Sequence, residues 1–261
     1  MNNFKLYKGV WICKEGPHKQ QEISRVEARE LLAGGGDLVR NAFDFDRKEP
    51  SGFWYVIKDS FGGLEELPTK VRNQVRRSLK CYDIKRISAE EMEERGYECY
   101  NLSRRRFGAT TEISREQWHR QLFIAEQDYW IAIDKMTGTP QALALNKQYD
   151  DYCDYITMGV NPEAPKSTYP MYGLIYEMNR NYLEEQGMKY VLDGARSVTE
   201  HSNIQTLLEE KFKFRKAYCE LQLFYKPWVG VAVMLLYPFR AFIKNRKLEA
   251  LLRQEMMRRT K

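Results

Sequence analysis

Cysteine is sparse in this sequence and badly placed for cross-linking. Cys13, Cys81, Cys99, Cys153 and Cys219 are odd in number, widely spaced and include no C-x-x-C pair. A disulfide framework or zinc site is therefore not expected, nor is any other metal, and the thiols suit a reducing compartment. The opening MNNFKLYKGVWICKEG has no uninterrupted apolar core of signal-peptide length, so a cytoplasmic location is expected. Internal repeats and low-complexity segments are also absent. Gly34-Gly35-Gly36 lacks the Lys-Ser/Thr that would make it a phosphate loop; Asp37 follows, so the glycines are a helix stop and turn.

What is present describes a globular chain. Of 261 residues, 43% are hydrophobic and 13% aromatic, enough for one large domain or two small ones. The formal charge of +6 is unevenly distributed. From Lys226 to Lys261 there are nine Lys or Arg against Glu249 and Glu255, a net +7, which leaves the remainder at −1. A chain built mainly to hold nucleic acid would more often spread positive charge over its body.

Hydrophobic spacing predicts a strand over 4–13, a helix over 22–32, a strand over 53–59, and a helix in KVRNQVRRSLK with Val71, Val75 and Leu79 on one face. Then come a strand over 82–88, helices over 88–105 and 114–127, and strands over 128–134, 141–149 and 151–160. A long helix over 171–187 stops at Gly187. A strand over 189–195, a helix over 202–212 opened by a Ser202-x-x-Gln205 capping box, and a strand over 217–225 close the series.

This order resembles the acetyltransferase-like (GNAT) acyl-CoA N-acyltransferase fold. VLDGARSVTEHSNIQTLLEEKFKFRKAY looks like the family's last strand, helix and strand, and Glu210-Lys211-Phe212-Lys213-Phe214 matches its Glu-Lys-x-Gly-Phe pattern with Lys213 in place of Gly. LPTKVRNQVRRSLK is similar to a segment of the Fem-type and related transferases, which carry two such halves in one chain. The resemblance implies a mixed, mostly antiparallel sheet flanked by helices. Residues 1–81 would form a reduced N-terminal half, 82–225 the acyltransferase-like core, and 226–261 an apolar, then basic tail.

The resemblance also implies acyl-CoA as donor. The fourth and fifth strands would splay apart around the pantetheine arm, and the helix after the fourth strand would offer its first N–H groups to the pyrophosphate. The corresponding junction, MGVNPEAPKSTYPMYGL at 158–174, has Pro162, Pro165 and Pro170 instead of the usual Arg/Gln-x-x-Gly-x-Gly/Ala turn. Lys166, Ser167, Thr168 and Asn203 are the candidate cofactor contacts; a plain surface loop fits 166–168 equally well.

GARSVTEHSN, 194–203, leaves a strand at its C-terminal end, where ligands sit in α/β sheets. Glu200 or a neutral His201 could take the proton that an attacking amine must lose, with Arg196 and Ser197 contacting substrate. The same residues also read as a helix start, with Ser202 as cap, Glu200 complementing the dipole and His201 in solvent. Where many members of the fold carry a Tyr that protonates the departing thiolate, the aligned residue is Glu209. Arg106 lies in a basic link that often covers the acceptor pocket in this fold, or that reads equally as a solvated helix end with Phe107 tucked inward. Tyr169, Tyr172, Trp54 and Tyr55 line a cleft or belong to the core, and Arg72 and Arg76 border a cleft between halves or face water.

In the tail, PWVGVAVMLLYPFRAFI is shorter than the ~20 apolar residues that span a bilayer. Residues 229–237 read as a core strand or as part of a lipid-facing tail. Residues 239–261 suggest a helix on an anionic membrane surface, which would place the protein at the membrane's inner face, or one packed on the body. The expected function is acyl transfer to a small-molecule or lipid-linked amine, such as a cell-envelope or glycolipid precursor. The alternatives are an aminoacyl-tRNA-dependent Fem-type transferase and a non-catalytic ligand- or membrane-binding protein of the same fold.

Overall fold

A computed structural model of the chain describes residues 3–105, 108–197 and 204–260. Among them are ten strands, paired mostly antiparallel and flanked by helices, which is the mixed α/β class expected. They form two compact units, each built from separated stretches: unit 1 from Met1–Val56, Ala195–Glu200 and Lys216–Lys261, and unit 2 from Ile57–Gly194 and His201–Arg215.

Unit 1 begins with a hairpin. The single strand expected over 4–13 folds back at Lys8 and Gly9, both at positive φ (48° and 83°), so β1 (Phe4–Tyr7) pairs antiparallel with β2 (Val10–Cys13). Helix α1 (Arg25–Ala33) opens with a reciprocal Ser24–Glu27 capping box and stops at Gly34. Next comes β3 (Leu38–Arg47), a strand that the hydrophobic pattern does not announce. It runs parallel to β2 and antiparallel to β10 (Arg215–Tyr225), and its regularity breaks where Asp44 and Asp46 take left-handed φ values of 54° and 62°. With β4 (Phe53–Lys58) the order in this unit is β1-β2-β3-β10-β4.

The C-terminal tail of unit 1 is helical. Residues 227–236 form α7 (Pro227–Leu236), with proline in its first turn, rather than a core strand. The β-branched residues suggest extension, but Val229 and Val233 fall four apart and pack on Leu252 of α8 (Arg246–Arg259). Met257 of α8 joins Leu38, Phe53, Cys219, Leu221 and Leu223 in the core. Buried Glu255 bonds to Arg258, Arg259 and Tyr225. The apolar side of α8 is thus covered by its own unit, whereas the sequence alone admits it as a candidate lipid-facing surface.

In unit 2, α2 (Thr69–Cys81) is the basic helix. Its buried residues are Val71, Val75 and Ser78; Leu79 is only half-buried. Ser78 takes the central place because α5 (Pro170–Asn179) crosses there at Gly173, where an added Cβ would lie 2.4 Å from Ser78 Oγ and 2.5 Å from Ile84 Cδ1. Gly173→Ala is therefore expected to lower unfolding stability by about 1–3 kcal/mol, measured by urea denaturation. An unchanged midpoint would mean that the helices separate freely.

The remaining elements of this unit are β5 (Tyr82–Ile87), α3 (Ala89–Arg105), α4 (Arg115–Leu122), β6 (Gln127–Asp134), β7 (Pro140–Gln148), β8 (Tyr152–Val160), β9 (Tyr190–Ala195) and α6 (Ile204–Phe212). Helix α4 ends at Leu122, five residues earlier than expected from the sequence over 114–127. The strand order is β5-β6-β7-β8-β9, antiparallel up to β8 and parallel between β8 and β9. Tyr129, Ile131 and Ile133 of β6 face the α3–α4 core around Trp118, while Trp130 points the other way to Tyr182. Both faces of β6 are covered, which explains its unbroken buried run. Tyr182 lies in a π-helical turn, Arg180–Glu185, that extends α5.

Candidate active site

The parallel pair β8–β9 separates early. Only Tyr152, Cys153 and Asp154 pair with Tyr190, Val191 and Leu192; β8 then continues along β7 to Val160, and β9 runs on to Ala195. A wedge opens at the C-terminal ends, with backbone groups on the facing edges left without a strand partner. Along β7, Thr157 pairs with Leu145 and Tyr155 with Asn146, so Ile156 is an extra residue of β8. A bulge of this kind bends the strand and re-aims its backbone.

Asp193 is the first residue of β9 beyond the paired stretch. Burial, reinforced by the charge of Asp154, pushes its carboxyl up to about 8, although a hydrogen bond from Gln205 acts the other way. At neutral pH the group mostly holds its proton and can exchange it in the physiological range. Gln205 Nε2 also donates to the Asp193 carbonyl at 2.8 Å, tying α6 to β9. Gly194 turns the chain at φ 70°. Beside the wedge, Tyr155 Oη donates to Asn179 Oδ1 at 2.9 Å, and burial raises this phenol well above its ordinary value. An acid–base group next to open strand edges is a constellation suited to proton transfer at a bound carbonyl.

The residues singled out in the sequence are dispersed. Glu200, His201, Asn203 and Arg106 lie outside the described residues, as does Ser202. Lys166 and Ser167 are exposed in a 3-10 turn, while Thr168 Oγ1 is shared between Tyr82 Oη at 2.5 Å and the Pro165 carbonyl at 2.6 Å. Tyr169 precedes α5 with φ 53°; its ring meets Tyr172 at 5.6 Å, and Tyr172 meets Phe212 of α6 at 5.5 Å. Those three rings do come together. Arg72 and Arg76 both reach Glu65, at 2.5 and 3.7 Å.

Arg196 and Ser197 belong to unit 1. The Arg196 guanidinium lies 4.2 Å from the Trp54 ring centre and donates to the Gly52 carbonyl at 2.7 Å. Burial and the nearby Arg253 charge hold its pKa below the ordinary value. Lys216 approaches the same indole at 4.5 Å, so Trp54 is a cation platform. Tyr55 packs with Phe45 and Phe53 in the core.

Two features bear on a bound phosphate. Pro170 gives the first turn of α5 no N–H, and the Tyr172 N–H is engaged by the Tyr169 carbonyl at 2.9 Å. Gly173, next in that turn, abuts Ser78. Pro170 and Tyr172 therefore offer no N–H to a pyrophosphate at the start of α5.

No family model matches the sequence, and no curated protein matches it. Solved structures do match. FemX aligns with a TM-score of 0.61 at 11% identity, over 93% of this chain and 86% of its own. The chain shares the fold of FemX. The C-terminal domain of a protein described as a lysylphosphatidylglycerol synthetase from Agrobacterium fabrum aligns at 0.54 with 10% identity, over 89% of this chain and 82% of its own. L-PGS from Bacillus licheniformis aligns at 0.51 with 13% identity, over 98% and 85%. Within this Fem-related fold the wedge lies between the fourth and fifth strands of unit 2 counted from β5, where the resemblance implied a splay. Lys213, standing where Gly is usual, has φ 61°, the left-handed conformation that glycine adopts without strain.

Sequence reasoning missed Asp193 and Asn179. The available signal was in KYVLDGA: one carboxylate in an apolar strand, next to a glycine.

Proposed function

We propose that the protein transfers an acyl group to an amine, with the activated carbonyl held in the β8–β9 wedge. The carrying observation is the Asp193 carboxyl, poised near 8 at the mouth of that wedge. As the amine nitrogen bonds to the carbonyl carbon, its surplus proton passes to the Asp193 carboxylate. The bond from carbon to the leaving oxygen or sulfur then breaks, and the leaving group takes up a proton. Backbone N–H groups on the unpaired edge of β8 stabilise the oxyanion. The acceptor is a small or lipid-linked amine of the kind found in cell-envelope or glycolipid precursors.

Two donors fit this chemistry. Acyl-CoA follows from the general resemblance; aminoacyl-tRNA is supported by the crowded start of α5, which offers little to a pyrophosphate. Calorimetric titration with coenzyme A and acetyl-CoA, paired with filter binding of aminoacyl-tRNA at moderate salt, separates them. The expected result is saturable binding of aminoacyl-tRNA and coenzyme A binding at least about tenfold weaker, the loss of a charge-assisted phosphate site. Micromolar acetyl-CoA binding with acetyl transfer would instead make acyl-CoA the donor. Binding of neither would overturn the transferase reading and leave a ligand-binding protein of this fold.

A further inference from the structure

The exposed apolar surface of unit 1 is concentrated in one place. Among the described residues, fourteen large hydrophobic side chains are strongly exposed, and six of them are Trp228, Val231, Met234, Leu235, Phe239 and Phe242. On α7, at 100° per residue, Trp228, Val231, Met234 and Leu235 fall on the side opposite Val229 and Val233, which are buried against Leu252. The 3-10 stretch Tyr237–Phe242 continues the surface with Phe239, 61% exposed, and Phe242, 81% exposed. A contiguous apolar surface rimmed by charge marks an interaction site.

The charge around it has one sign. No Asp or Glu occurs between Lys226 and Leu248, while Arg240, Lys244, Arg246 and Lys247 are all exposed. Among the described residues the tail's ion pairs engage Lys226, Arg253, Arg258 and Arg259, not Lys244, Arg246 or Lys247. We propose that α7 and residues 237–247 form an interfacial docking surface for an anionic lipid bilayer. Trp228, Phe239 and Phe242 enter the headgroup boundary while the cations stay level with the phosphates.

The arrangement selects this occupant over others. A second copy of the chain meeting the same face would bring like charges together. A nucleic acid would use the cations but gain nothing from Val231, Met234 and Leu235. Lipid accepts both features at once. Among the described residues no single helix is long and apolar enough to cross a membrane. The pair Pro227–Phe242 and Arg246–Arg259 bends by 103°, and α8 contributes Leu252 and Met257 to the core, so the surface lies along a bilayer and does not traverse it.

The test is flotation of the full chain with vesicles of phosphatidylcholine alone and of phosphatidylcholine with phosphatidylglycerol. Binding is expected only to the mixed vesicles and is expected to weaken as salt rises. Phe239→Ser with Phe242→Ser, and separately Lys244→Gln with Lys247→Gln, are each expected to weaken partitioning at least about tenfold. Both variants should keep the melting temperature, because the altered side chains are exposed. Wild-type protein that stays behind during flotation would overturn the proposal. So would a dimer, seen by sedimentation, that the Phe variant splits into monomers without any change in vesicle binding.

Discussion

Asp193→Asn is expected to slow acyl transfer by roughly 10²–10⁴-fold and, at alkaline pH, to make the protein more stable. Both effects follow from one environment. In the unfolded chain this carboxyl titrates near 3.8, whereas in the folded protein burial and Asp154 push it up to about 8. Between those values the folded state binds more protons than the unfolded one, so wild-type stability falls as pH rises from about 4 to about 8. The amide has no proton to lose and escapes that decline. The variant should gain on the order of 5 kcal/mol over wild type at pH 8, and little at pH 4, because the two states differ by about four tenfold steps in proton affinity, each worth about 1.4 kcal/mol.

Catalysis runs in the opposite sense. The base form accepts the amine proton, so kcat/KM of the wild type should rise through an apparent pKa of about 8. The variant should lose that inflection. A variant that keeps its rate and its pH profile would remove Asp193 from the mechanism, whatever its melting temperature.

The second large effect is structural and lies beneath β6. Tyr182 Oη accepts from Trp130 Nε1 at 2.8 Å and from Asn146 Nδ2 at 3.2 Å, so its lone pairs are committed. Its own hydrogen goes to Asp128 Oδ2 at 2.9 Å. Asp128 is buried and also holds Arg86 at 2.5 Å and Gln148. Asp128→Ala therefore strands a buried hydroxyl donor and leaves Arg86 without this partner. The expected loss is about 3 kcal/mol, read from chemical denaturation. Tyr182→Phe leaves Asp128 its other two partners but takes the acceptor from the buried Trp130 Nε1 and Asn146 Nδ2, and should also cost about 1–3 kcal/mol. An unchanged midpoint for both variants would show that the network adds nothing to stability.

Long, strongly periodic elements were legible from residues alone. Helices α2, α3 and α5 and strands β6 to β9 appear within a few residues of where their patterns place them, because each covers at least one face with regularly spaced apolar side chains. β3 was not legible. Its later half puts Asp44 and Asp46 in left-handed conformations, so hydrophobic alternation fails where the backbone itself departs from regular extension. α7 reads as a possible strand because Val229, Val231 and Val233 favour extension, while its helical register rests on packing against Leu252, far along the chain. The candidate site was less legible still. Asp193 owes its weakened acidity to burial and to Asp154, neither of which a linear pattern displays.

The interleaved construction of unit 1 sets an order on its birth. Leu38 pairs with Tyr225 and Arg47 with Tyr218, so β3 emerges from the ribosome long before its partner β10 exists. At ordinary rates of synthesis that wait is on the order of ten seconds or more. During it, one edge of β3 stays open to any passing strand. Asp44, Asp46 and Arg47, with the irregular backbone between them, make that edge a poor template. The same irregularity that hides β3 from pattern reading thus guards the nascent chain until its own C-terminal residues arrive.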